Sequence, residues 1–491
     1  MTASGSYDAI IVGSGAGGSA AAYQLARLGL RVALVEKGVA LPGDGSTLDF
    51  HQVTEEGRFK SREQWQEPSG RRFCPEEYFN VGGKTKWYGA ALLRYGRHEF
   101  AADSQYQCAG WPFTYEELLP YYEHAEGLLG VRRFACEPDL QRIAARLVRR
   151  APHWRHEPLP LGLSPGILEN SHEARHFDGF ASVARLKADA QTAFLEQIPR
   201  SSNFTLITGR AVTSLLGNAT DPEHVEGVRL QDGAILSGRA VLLAAGALHS
   251  PRLLQEYLET HALTGRLACA ANVGRYLKYH LLTAVVAIST ARTTDLIRKT
   301  LIFFNSGLAH SSVQPLGFDG EFIGTLMPKG VPRRIARFLG DHAYGFFLQT
   351  EDGAHRENRV IAAPTATGGL PVLDYDPART PAALNEHRQL VRSFRKAAAR
   401  IGMIAFSERI GIAGTAHVSG TLRTGIDPSD SVVDPLGQVH GMTALYVVDG
   451  SVLPRSSRVN PSLTIYAWSL RAAERLAERL VEERRVGECA K

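Results

Sequence analysis

The sequence predicts an α/β fold in two parts, one a Rossmann-like parallel sheet with helices and the other an antiparallel sheet with helices. The chain opens with "YDAIIVGSGAGGSAAAYQLARLGLRVALVEKG", where an apolar run, a glycine-rich turn, a helical pattern and a second apolar run follow one another. Strands that alternate with helical patterns are typical of a parallel sheet. The 491 residues exceed what one hydrophobic core usually supports, so two closely packed parts are expected.

The opening segment has the elements of a dinucleotide-binding unit. Residues 9–12 are predicted to form a buried parallel strand. Gly13, Gly15 and Gly18 give G-x-G-x-x-G. The first glycine permits a tight turn, the second lets a pyrophosphate approach the backbone, and the third lets the helix pack on the strand. The motif alone is weak, but strand, helix and second strand surround it here, which indicates a dinucleotide site.

Glu36 closes the second predicted strand, about twenty residues after the glycines. A carboxylate at this spacing can accept hydrogen bonds from ribose hydroxyls. Gly29 is expected to end the intervening helix. The unit does not by itself separate FAD from NAD(P), although its place at the start of the chain favours FAD.

Composition narrows the class of protein. The chain is 44% hydrophobic and 21% charged, and its net charge of +5 is spread without a long basic tract, which disfavours nucleic-acid binding. No apolar run approaches the roughly 18 residues of a membrane span, and the N-terminus lacks the pattern of a signal peptide. The five cysteines have no metal spacing, so we expect reduced thiols, a cytoplasmic location and no metal site.

Three later segments carry a more specific resemblance. The first is "FNVGGKTKWYGAALL" at 79–93, followed by "GWPFTYEELLPYYEHAE" at 110–126. The second is "AVLLAAGALHSPRLLQ" at 240–255, and the third runs from "GTAHVSGTLRTG" through "LYVVDGSVLPRSSRVNPSLTIYAWSLRAAERLA". Together with the opening segment, they resemble the glucose–methanol–choline (GMC) oxidoreductase family from end to end. The region of about 286–413 matches only loosely.

The resemblance assigns a place around FAD to several residues. In the family, the glycine-rich segment at 79–93 wraps the flavin, so Gly82 and Gly83 would let the backbone approach the pyrophosphate. Lys84 to Gly89 would run beside the isoalloxazine, including Thr85 and Trp87. Some relatives attach FAD through a histidine in this loop; here there is none, so noncovalent FAD is expected.

Four further cofactor contacts follow from the same resemblance. Val212 would place its backbone against the adenine, and Ala245 belongs to a segment that returns to the sheet near the dinucleotide. Asp449 matches the position near the ribityl chain, and Pro461 begins the helix that points at the flavin. Three of them also have a structural reading: a small buried strand for Ala245, a turn for Asp449 and a helix start for Pro461.

The family oxidises alcohols by hydride transfer to flavin N5, and the positions that match its catalytic pair are His417 and Asn460. A histidine suits a general base because its usual pKa of about 6.5 lies near working pH. An asparagine can donate to the substrate oxygen but cannot compete as a base. Asn460 could also cap the following helix. The histidines at 249, 280 and 440 are interpreted as structural.

The resemblance implies a discontinuous FAD-binding domain and a substrate domain. The FAD domain would comprise 1–95, 180–285 and 414–491. Residues 96–179 would form a helical excursion, and 286–413 the substrate-binding domain. Within the latter, the pattern near its end predicts strands and then a long helix.

The sequence thus predicts an FAD-dependent alcohol oxidoreductase, with a sugar or polyol as the favoured substrate. The electron acceptor stays open between oxygen, a quinone and a protein, and the site pattern does not separate an oxidase from a dehydrogenase. An alternative is a lyase or decarboxylase of the same fold that uses FAD without net alcohol oxidation. A flavin-binding carrier is a further possibility, although the histidine–asparagine pair argues against it.

Overall fold

A computed structural model of the chain describes residues 6–199, 203–325, 332–363, 369–414 and 417–489. Among these residues, none of the helices combines the length and the apolar character that crossing a lipid bilayer would require.

A five-stranded parallel sheet forms the first part of the fold. In spatial order its strands are Leu445–Val447, Val241–Leu243, Ala9–Val12, Val32–Glu36 and Phe204–Thr208. The predicted first strand lies near the centre, where Ile11 pairs with Leu242 on one side and with Leu34 on the other. Its residues are buried on both faces, which explains why the strand reads as a continuous apolar run.

Two helices pack on this sheet and on each other. They are Ala16–Arg27, which follows the first glycine turn, and Ser462–Cys489 near the end of the chain. A Cβ atom at Gly17 would lie 1.9 Å from the carbonyl oxygen of Val448, so only glycine allows the first helix to approach this closely. The helix Tyr115–Leu128 covers the C-terminal helix from outside.

A six-stranded antiparallel sheet, here called the platform sheet, forms the second part. In spatial order its strands are Ile404–Ile410, His280–Ile288, Ala343–Glu351, Leu308–Pro315, Leu301–Asn305 and Trp154–Pro158. The helices Pro381–Arg400 and Pro138–Arg150 pack together on this part, and Phe394 and Trp154 join a core with Phe346.

Smaller elements complete the fold. A three-stranded sheet contains Val212–Gly217, Val225–Leu230 and Ile235–Ser237. A four-stranded sheet contains Arg359–Ile361, Val372–Asp374, Trp65–Gln66 and Arg72–Phe73. A two-stranded sheet pairs Arg132–Arg133 with Pro160–Leu161. Further helices are Ser171–Ala174, Ala190–Ala193, Ser250–Thr260, Gly320–Thr325 and Arg333–Asp341.

The predicted α/β fold with a parallel and an antiparallel sheet is confirmed. The platform sheet, however, draws on more of the chain than the predicted range 286–413. Its strand His280–Ile288 begins before that range, and its edge strand Trp154–Pro158 comes from the predicted excursion 96–179. All nine residues of 280–288 pair with Ala343–Glu351, so the strand belongs to the platform sheet along its whole length.

Candidate active site

A cavity of about 660 Å³ lies between the carboxyl end of the parallel sheet and the platform sheet. This is where open parallel sheets usually bind ligands. Predicted cofactor residues on its wall are Gly13, Gly15, Glu36, Gly83, Thr85, Trp87, Val212, Ala245, Asp449 and Pro461. Both predicted catalytic residues, His417 and Asn460, lie on the same wall. Gly18 and Gly82 are not among the residues that line the cavity.

The three glycines of the first turn have different surroundings. Gly13 has a positive φ of 103°, and a Cβ there would lie 2.5 Å from the carbonyl oxygen of Ala244. A Cβ at Gly18 would lie 1.9 Å from the carbonyl oxygen of Gly13, so this glycine permits helix packing. A Cβ at Gly15 would meet no protein atom within 4 Å and would instead enter the cavity.

Glu36 is buried at the end of its strand and receives hydrogen bonds from the first turn. Its Oε2 accepts from Ser14 N at 3.0 Å and from Ser14 Oγ at 2.6 Å, while Oε1 accepts from Gly38 N at 2.8 Å. These bonds fix the carboxylate on the wall of the cavity that Val212 also lines. The arrangement suits an acceptor for a ribose.

The second glycine segment packs directly on the first. Gly82 and Gly83 have positive φ values of 88° and 55°. The Gly82 nitrogen donates to Ser14 Oγ at 3.0 Å, and a Cβ at Gly83 would lie 3.0 Å from the Cα of Gly15. Thr85 then closes the turn, because its Oγ1 donates to the Gly82 carbonyl at 2.6 Å. The two glycine turns thus form one backbone surface.

Trp87 gives the cavity an aromatic wall. Its ring stacks on that of Tyr78 with a centroid distance of 4.8 Å and lies 5.3 Å from the ring of Phe59. Its Nε1 donates to Asn80 Oδ1 at 3.0 Å, which holds the indole in place. An aromatic side chain so fixed can pack against a flat ring system.

Asp449 joins two segments of the wall. Its Oδ2 accepts from Gly246 N at 2.8 Å and from Ser250 Oγ at 2.5 Å, and its Oδ1 accepts from Ser451 N at 2.9 Å. Ser250 Oγ in turn accepts from the nitrogen of Ala245 at 3.0 Å. Burial raises the pKa of Asp449, although these hydrogen bonds oppose the shift.

His417 contacts a second histidine, His280, at the start of a platform strand. The Nδ1 atoms of the two rings are 2.9 Å apart, and His280 Nε2 lies 2.8 Å from the carbonyl oxygen of Ser457. The pKa of His417 lies well below its usual value. Burial is the main cause, and the neighbouring His280, Lys299 and Lys84 lower it further. Burial also lowers the pKa of His280, to about 4. Both rings are therefore neutral near pH 7.

Asn460 is held by the platform sheet. Its Oδ1 accepts a hydrogen bond from Gln314 Nε2 at 2.6 Å. This leaves the Nδ2 group of Asn460 as a donor on the cavity wall. The C-terminal helix begins at Ser462, directly after Pro461, so its N-terminal N–H groups lie beside the cavity.

The platform sheet supplies further residues of the cavity wall. Leu282, Phe347 and Ile410 contribute apolar surface, and Gln349 adds an amide. A buried ion pair, Lys299 Nζ to Asp178 Oδ2 at 2.7 Å, also lines the cavity.

Several polar residues of this site escaped the sequence analysis, among them His280, Gln314, Lys299 and Asp178. The only signal was the "YLKYH" segment that contains His280, and its histidine was interpreted as structural. Gln314, Lys299 and Asp178 stand in segments without any motif.

One other group has the chemistry of a metal site. Ligand atoms of Cys108, His310 and Glu351 lie within 4.8 Å of one another. Glu351, however, already forms a buried ion pair with Arg455 at 2.7 Å. Burial by itself would raise the pKa of Glu351, but Arg455 and His310 hold it at about 2. The guanidinium neutralises the carboxylate and opposes a cation, so the arrangement is that of an ion-pair network.

The cavity fits a dinucleotide on three observations. The glycine turns present a surface without side chains, where a Cβ at Gly15 would occupy cavity space. A fixed carboxylate, Glu36, lies at the strand end. The Nε2 of His249 is buried on the wall and has no hydrogen-bond partner among the described residues.

Comparisons with known proteins agree with this geometry. A family model described as FAD dependent oxidoreductase matches residues 8–278, and one described as GMC oxidoreductase matches residues 354–469. The chain is 30% identical to paromamine 6'-oxidase of Streptomyces fradiae, over 97% of this chain and 92% of the relative. It is 29% identical to 6'''-hydroxyparomomycin C oxidase of Streptomyces lividus, over 98% of this chain and 93% of the relative. It is 24% identical to 2-methyl-1,2-propanediol dehydrogenase of Mycolicibacterium austroafricanum, over 96% and 95%.

Solved structures show the same fold. The chain superposes on pyridoxine 4-oxidase from Mesorbium loti with a TM-score of 0.66 at 18% identity, covering 96% of this chain and 99% of that one. A formate oxidase of Aspergillus oryzae gives a TM-score of 0.71 at 14% identity, covering 98% and 99%. From the relatives, the family models and the fold together, the chain belongs to the GMC family of FAD-dependent oxidoreductases.

Proposed function

We propose that the protein oxidises a CH–OH group of a sugar-like or polyol substrate, with His417 as general base and Asn460 as donor to the alcohol oxygen. One observation carries the proposal: both side chains lie on the wall of the cavity that the two glycine turns also line. A base, a donor and a dinucleotide site are the parts that flavin-dependent alcohol oxidation needs.

The two side chains have complementary tasks. An alcohol hydroxyl can give its proton to neutral His417 while its oxygen accepts a hydrogen bond from Asn460 Nδ2. The low pKa of His417 keeps its ring unprotonated and ready to accept near neutral pH. The bond from Gln314 holds Asn460 in the donating orientation.

FAD is the cofactor, and when bound it supplies the acceptor for the hydride that leaves the carbinol carbon. The residues proposed to hold it are the wall residues of the two glycine turns, Glu36, Val212, Ala245, Asp449 and Pro461. The loop 82–89 has no histidine, so we expect the cofactor to be held without a covalent bond. The positive end of the helix that begins at Ser462 favours negative charge beside it.

Other residues of the cavity wall support a polyhydroxylated substrate. It combines apolar surface from Leu282 and Phe347 with the polar groups of Gln349, Lys299 and Asp178. Mixed walls of this kind bind sugars, since a sugar ring has apolar faces and polar edges. The three relatives named above, paromamine 6'-oxidase, 6'''-hydroxyparomomycin C oxidase and 2-methyl-1,2-propanediol dehydrogenase, point the same way.

An anaerobic titration of the FAD-loaded protein tests the proposal. The panel contains D-glucose, D-sorbitol, paromamine, 2-methyl-1,2-propanediol and benzyl alcohol. Bleaching of the flavin band by a sugar, a polyol or paromamine supports the proposal, and bleaching only by benzyl alcohol contradicts the substrate class. A protein that binds FAD but is reduced by none of them favours the lyase, decarboxylase or carrier alternatives. Adding air, a quinone or a protein acceptor to the reduced enzyme then identifies the electron acceptor.

A further inference from the structure

His280 is linked on both sides to groups whose hydrogen-bonding roles can be assigned. Its Nε2 lies 2.8 Å from the carbonyl oxygen of Ser457, and its Nδ1 lies 2.9 Å from Nδ1 of His417. A carbonyl oxygen can only accept, so Nε2 of His280 must carry a hydrogen and donate it.

The other nitrogen of His280 is then defined. Burial lowers its pKa to about 4, so His280 is neutral near pH 7 and carries only one ring hydrogen. With that hydrogen on Nε2, the Nδ1 of His280 is an acceptor. The facing Nδ1 of His417 must therefore be the donor.

The assignment passes on to the second nitrogen of His417. A neutral imidazole with hydrogen on Nδ1 has a free lone pair on Nε2. That atom lies on the side of the ring away from His280, and His417 lines the cavity. We propose that His280 is a positioning residue that holds His417 as its Nδ1–H tautomer and so presents Nε2 as the proton acceptor. This inference rests on the proposed function of His417.

The acceptor at the far end is fixed in space. Ser457 has a positive φ of 66°, which is uncommon outside glycine. Its nitrogen donates to Glu351 Oε1 at 2.9 Å and its Oγ donates to Glu99 Oε1 at 2.6 Å. Glu351 is also the strand partner of His280. The carboxylate of Glu351 thus holds Ser457, while the backbone of Glu351 lies opposite His280 in the sheet.

A neutral partner also has an electrostatic consequence. A carboxylate behind His417 would raise its basicity, whereas His280 gives orientation without a negative charge. The charged groups near the two rings are neutralised in pairs: Lys299 with Asp178, Lys84 with Glu77, and Glu351 with Arg455. No net negative charge therefore raises the pKa of His417. Its ring stays unprotonated, and able to accept a proton from a substrate, at pH values below the usual histidine pKa.

The direct test is ¹⁵N NMR of the FAD-loaded, histidine-labelled enzyme near pH 7, with the His417→Gln variant used to assign the resonances. We expect a protonated Nδ1 and an unprotonated Nε2 on His417. His280→Leu, which removes the acceptor, should give a mixture of tautomers or the Nε2–H form. His280→Asn, whose amide oxygen can replace the Nδ1 acceptor, should keep the original pattern. A wild-type His417 protonated at Nε2, or an unchanged pattern in His280→Leu, overturns the proposal.

Kinetics give a second readout with the panel compound that bleaches the flavin. His280→Leu should lower the limiting rate of flavin reduction at least ~10-fold with little change in KM, a part of the usual general-base effect. His280→Asn should recover most of that rate. If His280→Leu and His280→Asn show the same limiting rate of flavin reduction, while bound flavin and melting temperature are unchanged, the result counts against the proposal. If no panel compound reduces the flavin, the proposed function fails, but the NMR experiment still decides the tautomer.

Discussion

The side chain of Gln314 donates from Nε2 to Oδ1 of Asn460 at 2.6 Å, across 146 residues of sequence. A platform strand therefore determines which end of the Asn460 amide faces the cavity. With its oxygen occupied, Asn460 can offer only its NH₂ group to a substrate.

Asn460→Ala should lower the limiting rate of flavin reduction by about 10²–10³-fold, because it removes the donor to the developing alkoxide. Gln314→Leu should cause a smaller loss, since Asn460 stays in place but is free to rotate. Stopped-flow reduction of each FAD-loaded variant measures the effect. Asn385→Ala, on the exposed face of the helix Pro381–Arg400, is the control and should be unchanged. Full activity in Asn460→Ala would remove Asn460 from the mechanism.

His417→Ala should keep bound FAD and reduce the rate of flavin reduction by about 10²–10⁴-fold, the usual size of a general-base contribution. The same stopped-flow assay measures it, and the flavin absorbance reports the FAD content. His51→Ala is a matched histidine control, because His51 is exposed on the surface. Turnover that is unchanged in His417→Ala would show that another group takes the proton.

The pH profile of kcat/KM should have an acid limb below 6.5. The pKa of His417 is depressed in the folded protein. The base therefore stays unprotonated and active until the pH falls below the usual pKa of a histidine. Below the folded-state pKa, protonation removes the base and the rate falls. Steady-state rates between pH 4 and 9 measure the profile, and an acid limb above 6.5 contradicts the assignment.

Gly15→Val should fold normally and lose FAD. The Cβ at this position meets no protein atom within 4 Å, so the added side chain enters the cavity that the pyrophosphate would need. Absorbance of the purified protein and titration with FAD measure the loss. Gly43→Ala, at an exposed glycine with no atom within 4 Å of an added Cβ, is the control. A Gly15→Val protein that is saturated with FAD would place the pyrophosphate elsewhere.

Glu351→Gln should lower the free energy of unfolding by about 3–5 kcal/mol, because Arg455 would be left buried without its partner charge. Denaturant unfolding of the FAD-loaded protein measures the change. Glu478→Gln breaks an exposed ion pair with Arg475 and should cost less than about 1 kcal/mol. Equal losses in the two variants would show that the buried pair has no special role.

The sequence predicted those features whose cause is local. Gly13, Gly15 and Glu36 belong to one strand–turn–helix–strand unit, in which spacing along the chain sets position in space. His280 was missed because its role depends on His417, 137 residues away, and on Ser457, 177 residues away. Strand pairing brings these groups together, and no local pattern records it. The platform sheet likewise joins strands from distant parts of the chain, which no local pattern records.

The strand His280–Ile288 pairs with Ala343–Glu351 through nine consecutive residues without a bulge. Side chains alternate between the two faces of a sheet, so one inserted or deleted residue after His280 would turn its neighbours in the cavity wall to the opposite side. Point changes in this strand can alter the cavity one side chain at a time. An insertion or deletion in the strand would instead change the whole wall at once. Insertions are therefore better tolerated in the loops, where they leave the strand pairing intact.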